Sequence, residues 1–196
     1  MLTTLNNIRS HFPCTSGWVT LLRYLGKHEA DDEPLSLATI LDSNGVRDAR
    51  WCLRTVNGWD RERRLFSVWC ARGVQHLMPD HRSIEAMFIA ERFANGEATE
   101  RELEEARGRA FAVAGCVLTS SSAPMWAAKA AYSTTEARVN LATEAPSWAA
   151  HAAAVNGDAD PFDTRYEAIC DLQEFELRRV VACIEAGVDP YPKGMK

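Results

Sequence analysis

The side chains best suited to chemistry in this sequence are arginines concentrated in one segment. Seven arginines occur between residues 47 and 72, opposed there by three carboxylates, so this segment carries a net charge of +4. A guanidinium is planar and donates two parallel hydrogen bonds to a carboxylate or a phosphate, which suits it to binding acidic groups. The arginines are Arg47, Arg50, Arg54, Arg61, Arg63, Arg64 and Arg72.

This arginine-rich segment has three interpretations. It binds an acidic surface of another protein, it binds the phosphates of a nucleic acid, or it pairs with the protein's own acidic helices, since surface ion pairs are common. We favour a protein partner over a nucleic acid, because the whole chain has a net charge of -5 and no aromatic platform suited to base stacking is interleaved with the arginines. The predicted contact residues are Arg54, Arg61, Arg63 and Arg64, with an opposing acidic patch at Glu102, Glu104 and Glu105.

Cysteines and histidines close in sequence raise the question of a zinc site. His76 lies six positions after Cys70, and Pro79 places His76 and His81 on different elements, so no tetrahedral ligand set is recognisable. The chain has 6 cysteines and no Cys-x-x-Cys pair, and most of them lie in apolar helical contexts. We therefore expect reduced, buried thiols and no metal or other cofactor.

The segment NGDADPFDTRYE resembles a calcium-binding loop in part. Its oxygen-bearing residues fall at positions 1, 3, 5 and 12 of the loop template, but Pro161 stands where the template requires a turn glycine. An acidic cap for the following helix explains the same residues. The four matching residues are Asn156, Asp158, Asp160 and Glu167.

Motifs for enzymatic catalysis are missing from the sequence. The chain contains SSS at 120–122 but no Gly-x-Ser-x-Gly turn and no glycine-rich phosphate loop. Paired carboxylates such as Glu104 and Glu105 begin a charged helix, where exposure to solvent is the ordinary explanation. We therefore predict that the protein is not an enzyme.

The elements that must position these residues are helices. Apolar residues recur at helical spacing along nearly the whole chain, and strand-like alternation does not persist anywhere. The prediction is an all-α, single-domain bundle of about seven to nine helices over residues 1–188, with an irregular tail at 189–196. Helix ends are predicted at Gly26, Gly45, Gly58, Gly96 and Gly187, and helix starts at Pro34, at Asp80 and at the capping box of Thr99 and Glu102.

The N-terminal sequence MLTTLNNIRSHF indicates where the protein resides. It lacks the basic start and the apolar run of a signal peptide, and no later segment has the roughly 20 apolar residues of a membrane span. We expect a soluble, cytoplasmic protein that does not bind membranes.

An eight-residue pattern, Pro-x-Trp-Ala-Ala-x-Ala-Ala, occurs twice. PMWAAKAA begins at Pro124 and PSWAAHAA begins at Pro146. Proline suits the first turn of a helix and interrupts a longer one, so the pattern predicts two separate helix starts. Small alanines let a neighbouring helix approach closely while the tryptophan fills the end of the contact, which indicates a duplicated packing unit.

Three stretches of the first 112 residues resemble a family of bacteriophage and prophage immunity proteins. They are EADDEPLSLATILDSNGVRDARWCLRTV, RLFSVWCARGVQHLM and ERFANGEATERELEEAR. Members of this family usually have an Ala- and Trp-rich helical second half, and beyond residue 112 the likeness is one of composition. The resemblance implies an all-helical protein that acts by binding, and it carries over no catalytic residues.

The sequence therefore supports two functions from different classes. The leading hypothesis is a non-catalytic protein inhibitor in a bacterial host cell, acting as an immunity protein against a toxin or as a phage counter-defence protein of the anti-CRISPR kind. The alternative is a nucleic-acid-binding protein that uses residues 47–72. Homodimerisation through the Ala-rich helices is a further hypothesis about assembly.

Overall fold

The computed structural model describes residues 1–116, 122–136, 138, 142–155 and 162–193, and it confirms the predicted all-α fold. Within these ranges there are nine α-helices, two short 3-10 helices and one antiparallel pair of two-residue strands. None of the described helices combines the length and apolar character needed to cross a bilayer. The helices are α1 (Leu5–Ser10), α2 (Thr15–Leu25), α3 (Leu37–Cys52), α4 (Asp60–Arg72), α5 (His81–Ala94), α6 (Glu100–Cys116), α7 (Ala123–Thr134), α8 (Ala145–Val155) and α9 (Phe162–Glu185). The strands are β1 (Leu2–Thr3) and β2 (Leu35–Ser36), and the 3-10 helices span Leu53–Thr55 and Gln75–Leu77.

Several helix ends follow the local signals that predicted them. The Thr99 and Glu102 capping box is present: the Thr99 N–H donates to Glu102 Oε2 at 2.7 Å, and the Glu102 N–H donates to Thr99 Oγ1 at 3.2 Å. Gly45 interrupts α3, because its φ of 76° and ψ of 179° are not helical. The predicted start at Pro34 is wrong. Ser36 caps α3 instead, because the two residues of β2 are held in a strand pair with β1.

The core is one main cluster of buried apolar side chains drawn from every helix. Leu37, Phe66, Met87 and Leu177 are each no more than 1% exposed. Trp69 is 39% exposed. Its indole stacks with the ring of the buried Phe66, with ring centroids 6.4 Å apart.

The duplicated pattern forms two separate helices, α7 and α8, as predicted. In the structure these two helices pack against each other. The indoles of Trp126 and Trp148 stack with ring centroids 5.2 Å apart and planes 13° from parallel. Lys129 occupies the second variable position of the first copy. Its Nζ lies 4.6 Å from the Trp126 ring centroid and 4.9 Å from the Trp148 ring centroid. Most alanines of both copies are fully buried, so these faces are used within the chain and are not available for the homodimer predicted through them.

The C-terminal segment has no regular secondary structure, but it is fastened to the body. Arg61 donates hydrogen bonds to Asp189 Oδ1 at 2.9 Å and to the Tyr191 carbonyl at 2.5 Å. Arg179 donates to the Pro190 carbonyl at 3.0 Å. Residues 188–193 therefore pack on α4 and α9 and do not form a free tail.

Candidate anion-binding cleft

Two of the predicted contact residues lie inside the protein. Arg63 and Arg64 are only 5% and 3% exposed, so the prediction that they contact a partner at the surface is wrong. Arg63 donates to the Leu53 carbonyl at 2.8 Å. Arg64 donates to the carbonyls of Thr134 and Glu136 at 2.5 Å and 2.8 Å. Thr134 is the last residue of α7, and Glu136 lies two residues beyond it. Carbonyls at the end of a helix lack hydrogen-bond partners within it and carry partial negative charge, so they stabilise the buried cation.

The other two predicted arginines are partly exposed but already paired. Arg54 forms a 2.6 Å ion pair with Glu144, and its guanidinium lies over the ring of Trp51 at 4.9 Å. Arg61 pairs with Asp189 and so holds the C-terminal segment. Both guanidinium groups have an evident role within the fold.

The predicted acidic patch also makes contacts within the protein. Glu102 closes the capping box, Glu104 pairs with Arg107 at 3.0 Å, and Glu105 lies 3.8 Å from Arg101. These glutamates thus stabilise α6 and its neighbourhood. Because Arg63 and Arg64 are buried, they do not form a contact surface together with these glutamates.

A cleft of about 330 Å³ opens between α2, α3, α8 and the start of α9. The Gly45 break starts the second segment of α3, which presents Arg47, Asp48 and Arg50 to the cleft. Arg54 and Glu144 close one side. Sequence reasoning placed the arginines in one segment, but it did not predict that residues near 14–18 and 144–166 would complete the site.

Asp48 is held close to α2 by two hydrogen bonds through an asparagine. The Asn44 amide nitrogen donates to Asp48 Oδ2 and to the Gly17 carbonyl, both at 2.8 Å. A Cβ at Gly17 would lie 2.5 Å from Asp48 Oδ2, so a larger residue at this position would displace the Asp48 carboxylate. The wall formed by α2 and α3 is therefore closely fitted.

Arg47 and Arg50 differ from Arg54, Arg61, Arg63 and Arg72, which form ion pairs with carboxylates, because among the described residues neither Arg47 nor Arg50 forms one. Arg50 is only 6% exposed, and it donates to the Gln173 side-chain oxygen. Gln173 in turn donates to the Pro146 carbonyl at 2.9 Å. The exposed Arg47 lies over the ring of Tyr166 at 5.7 Å. Burying a cation without a counter-ion is costly, so the cleft favours an anionic ligand.

The wall formed by α8 and α9 is aromatic. The imidazole of His151 lies 5.3 Å from the Trp126 ring and meets the Tyr166 ring edge-on at 5.1 Å. Its Nδ1 lies 2.9 Å from the Ser147 carbonyl, and a carbonyl only accepts, so Nδ1 carries a proton. His151 occupies the same variable position in the second copy of the duplicated pattern that Lys129 occupies in the first copy.

The Cys52 thiol, which lines the cleft, is poorly suited to nucleophilic catalysis. Burial raises the pKa of the Cys52 thiol to about 12, with the Asp48 carboxylate adding to the effect. A thiol with that pKa stays protonated at neutral pH and is a poor nucleophile. Together, the arginines and aromatic side chains form a site for a small anionic group.

Metal binding has no support in the described part of the chain. No group of three or more His, Cys, Asp or Glu side chains within it could hold a metal ion. Residues 156–161 of the calcium-loop resemblance lie outside the described residues. Comparison with protein-family models, with curated proteins and with solved structures finds no match to this chain.

Proposed function

We propose that the protein is a non-catalytic inhibitor that binds another protein, and that an acidic side chain of this partner enters the cleft. The observation that carries the proposal is the absence of a carboxylate partner for Arg47 and Arg50 among the described residues, although both line the cleft. Ligand pockets usually occupy about 300 to 1,000 Å³, so this cleft suits a single side chain. The family resemblance supplies the context, an immunity or phage counter-defence protein.

The distribution of arginines supports a protein partner over a nucleic acid. Of the seven arginines in the segment, Arg50, Arg63 and Arg64 are buried. Arg54, Arg61 and Arg72 are paired with carboxylates. A nucleic-acid backbone is bound by a stripe of exposed cations, and this segment offers only Arg47 as an exposed and unpaired one among the described residues.

Affinity capture from bacterial lysates tests this proposal. The baits are the wild-type protein, Arg47→Glu in the cleft, and Arg101→Glu, an exposed charge reversal on α6 that serves as the control. We expect wild type and the control to retain one stoichiometric protein after nuclease treatment, and Arg47→Glu to bind it at least about tenfold more weakly. Reversing a charge at a desolvated contact typically costs 2 kcal/mol or more.

Two results would contradict the proposal. One is a partner retained equally by all three baits. The other is recovery of nucleic acid alone, lost as salt rises, which would favour the nucleic-acid function.

A further inference from the structure

Phe12 has an unusual combination of exposure and backbone conformation. Its side chain is 90% exposed, and its φ of 56° lies in the left-handed region that disfavours residues with a Cβ. Trp59, with a φ of 60°, is the other such residue among those described. An exposed phenylalanine gains little from packing within its own chain, so folding alone does not explain its presence in this strained position.

The loop that carries Phe12 is held by backbone hydrogen bonds and adjoins the cleft. The Phe12 N–H donates to the Arg9 carbonyl and the His11 N–H donates to the Ile8 carbonyl, both at 3.1 Å. Pro13 follows directly, and its ring restricts the backbone. Both Pro13 and the next residue, Cys14, line the cleft. Phe12 is thus an exposed aromatic residue that directly precedes two residues of the cleft lining.

The charges of the cleft indicate what kind of anion it accepts. Arg47, Arg50 and Arg54 line it together with Asp48 and Glu144, which leaves one uncompensated positive charge. A monoanionic carboxylate neutralises that charge. A dianionic phosphate leaves an excess negative charge beside Asp48 and Glu144, and placing like charges together is unfavourable.

We infer that Phe12 and the cleft form one recognition surface, in which a single Asp or Glu side chain of a partner protein enters between Arg47 and Arg50 while Phe12 inserts into an apolar hollow of that partner. This inference rests on the proposed function. It adds the chemistry of the recognised group, a carboxylate, and it adds an aromatic contact of the kind that often dominates the energy of an interface.

Glycine substitutions separate a binding role of Phe12 from a structural one. Phe12→Gly removes the ring and relieves the left-handed strain, so we expect it to unfold at an equal or higher urea concentration than wild type while binding the captured partner at least about tenfold more weakly. Trp59→Gly relieves the same kind of strain at an exposed residue that does not line the cleft. We expect this matched control to bind the partner as wild type does.

The carboxylate preference is measured on the whole protein without the partner. The Arg50 Nε–H resonance is followed by NMR during titration with N-acetylglutamate methylamide, with its glutamine analogue and with its phosphoserine analogue at pH 7.5. We expect a saturable shift with glutamate, none with glutamine, and weaker binding of phosphoserine. Tighter binding of phosphoserine, or no saturable shift with glutamate, overturns the assignment of the ligand group.

The two proposals fail in different ways. Loss of the partner with Arg47→Glu but full binding by Phe12→Gly overturns the role of Phe12 and leaves the proposed function standing. Capture of no protein by wild type overturns both the proposed function and the role of Phe12.

Discussion

At the scale of single residues, Arg64 shows how a charged side chain becomes part of a helical core. Its guanidinium lies over the Phe93 ring at 5.3 Å and donates to two carbonyls at the end of α7. Burial lowers its pKa to about 10, so it remains charged at neutral pH. Arg64 therefore links α4 to α7 and does not serve as a contact for a partner.

Removing this link should destabilise the fold. We expect Arg64→Ala to lower the free energy of unfolding by about 3 kcal/mol, because buried carbonyls lose hydrogen bonds from a charged donor. Arg72→Ala is the control, since Arg72 forms an exposed ion pair with Glu91 and such pairs contribute less than about 1 kcal/mol. Urea denaturation followed by circular dichroism measures both. Similar losses for the two variants would contradict this role of Arg64.

Asp80, which caps α5, makes stability depend on pH. Hydrogen bonds from the Arg82 side chain, and then from the Arg82 N–H, lower its pKa from 3.8 to about 2. A carboxyl group with a lowered pKa in the folded state stabilises that state above pH 3.8, and this contribution disappears as the pH falls through 2.

The stability that Asp80 contributes can therefore be measured by comparing wild type with an Asp80→Asn variant. We expect wild type to exceed Asp80→Asn in urea midpoint at pH 5, and the difference to vanish near pH 2. Asp171→Asn, at an exposed position in α9, is the control and should not reproduce this pH dependence. A constant difference across that range would show that the cap does not act through its charge.

At the scale of elements, the duplicated pattern builds a pair of alanine-rich helices that pack against each other. Ala130 and Ala150 are fully buried, so a larger side chain at either position would overpack its surroundings. The stacked indoles of Trp126 and Trp148 fill the end of this contact. The pair supports His151 and hence the aromatic wall of the cleft.

Enlarging one alanine at this contact should be unfavourable. We expect Ala150→Leu to lower the free energy of unfolding by about 2 kcal/mol, because overpacking a close contact displaces the backbone. Ala112→Leu, on the exposed side of α6, adds the same atoms without that constraint and should change stability by less than about 0.5 kcal/mol. Thermal and urea unfolding measure both variants. Equal losses of stability for Ala150→Leu and Ala112→Leu would contradict the close packing of Ala150.

At the scale of the whole molecule, the cleft unites residues that are distant in the chain. Gly17 contacts Asp48, Arg54 pairs with Glu144, and Arg47 lies over Tyr166. Each arginine was recognised in the sequence as a possible anion-binding group. Which of them would be buried, paired or left without a carboxylate depended on partners far away in the chain, such as Gln173, which lies 123 positions from Arg50.

The sequence by itself determined the helical class, the two helices of the duplicated pattern and helix ends such as Gly26, Gly45 and the Thr99 capping box. These features depend on residues within a few positions of one another, so local propensity and hydrogen bonding decide them. Only the tertiary structure decided that Arg63 and Arg64 belong to the interior and that Arg47 and Arg50 face the cleft. The physical reason is that desolvation and pairing of a charge are set by the atoms packed around it, and packing brings those atoms from every part of the chain.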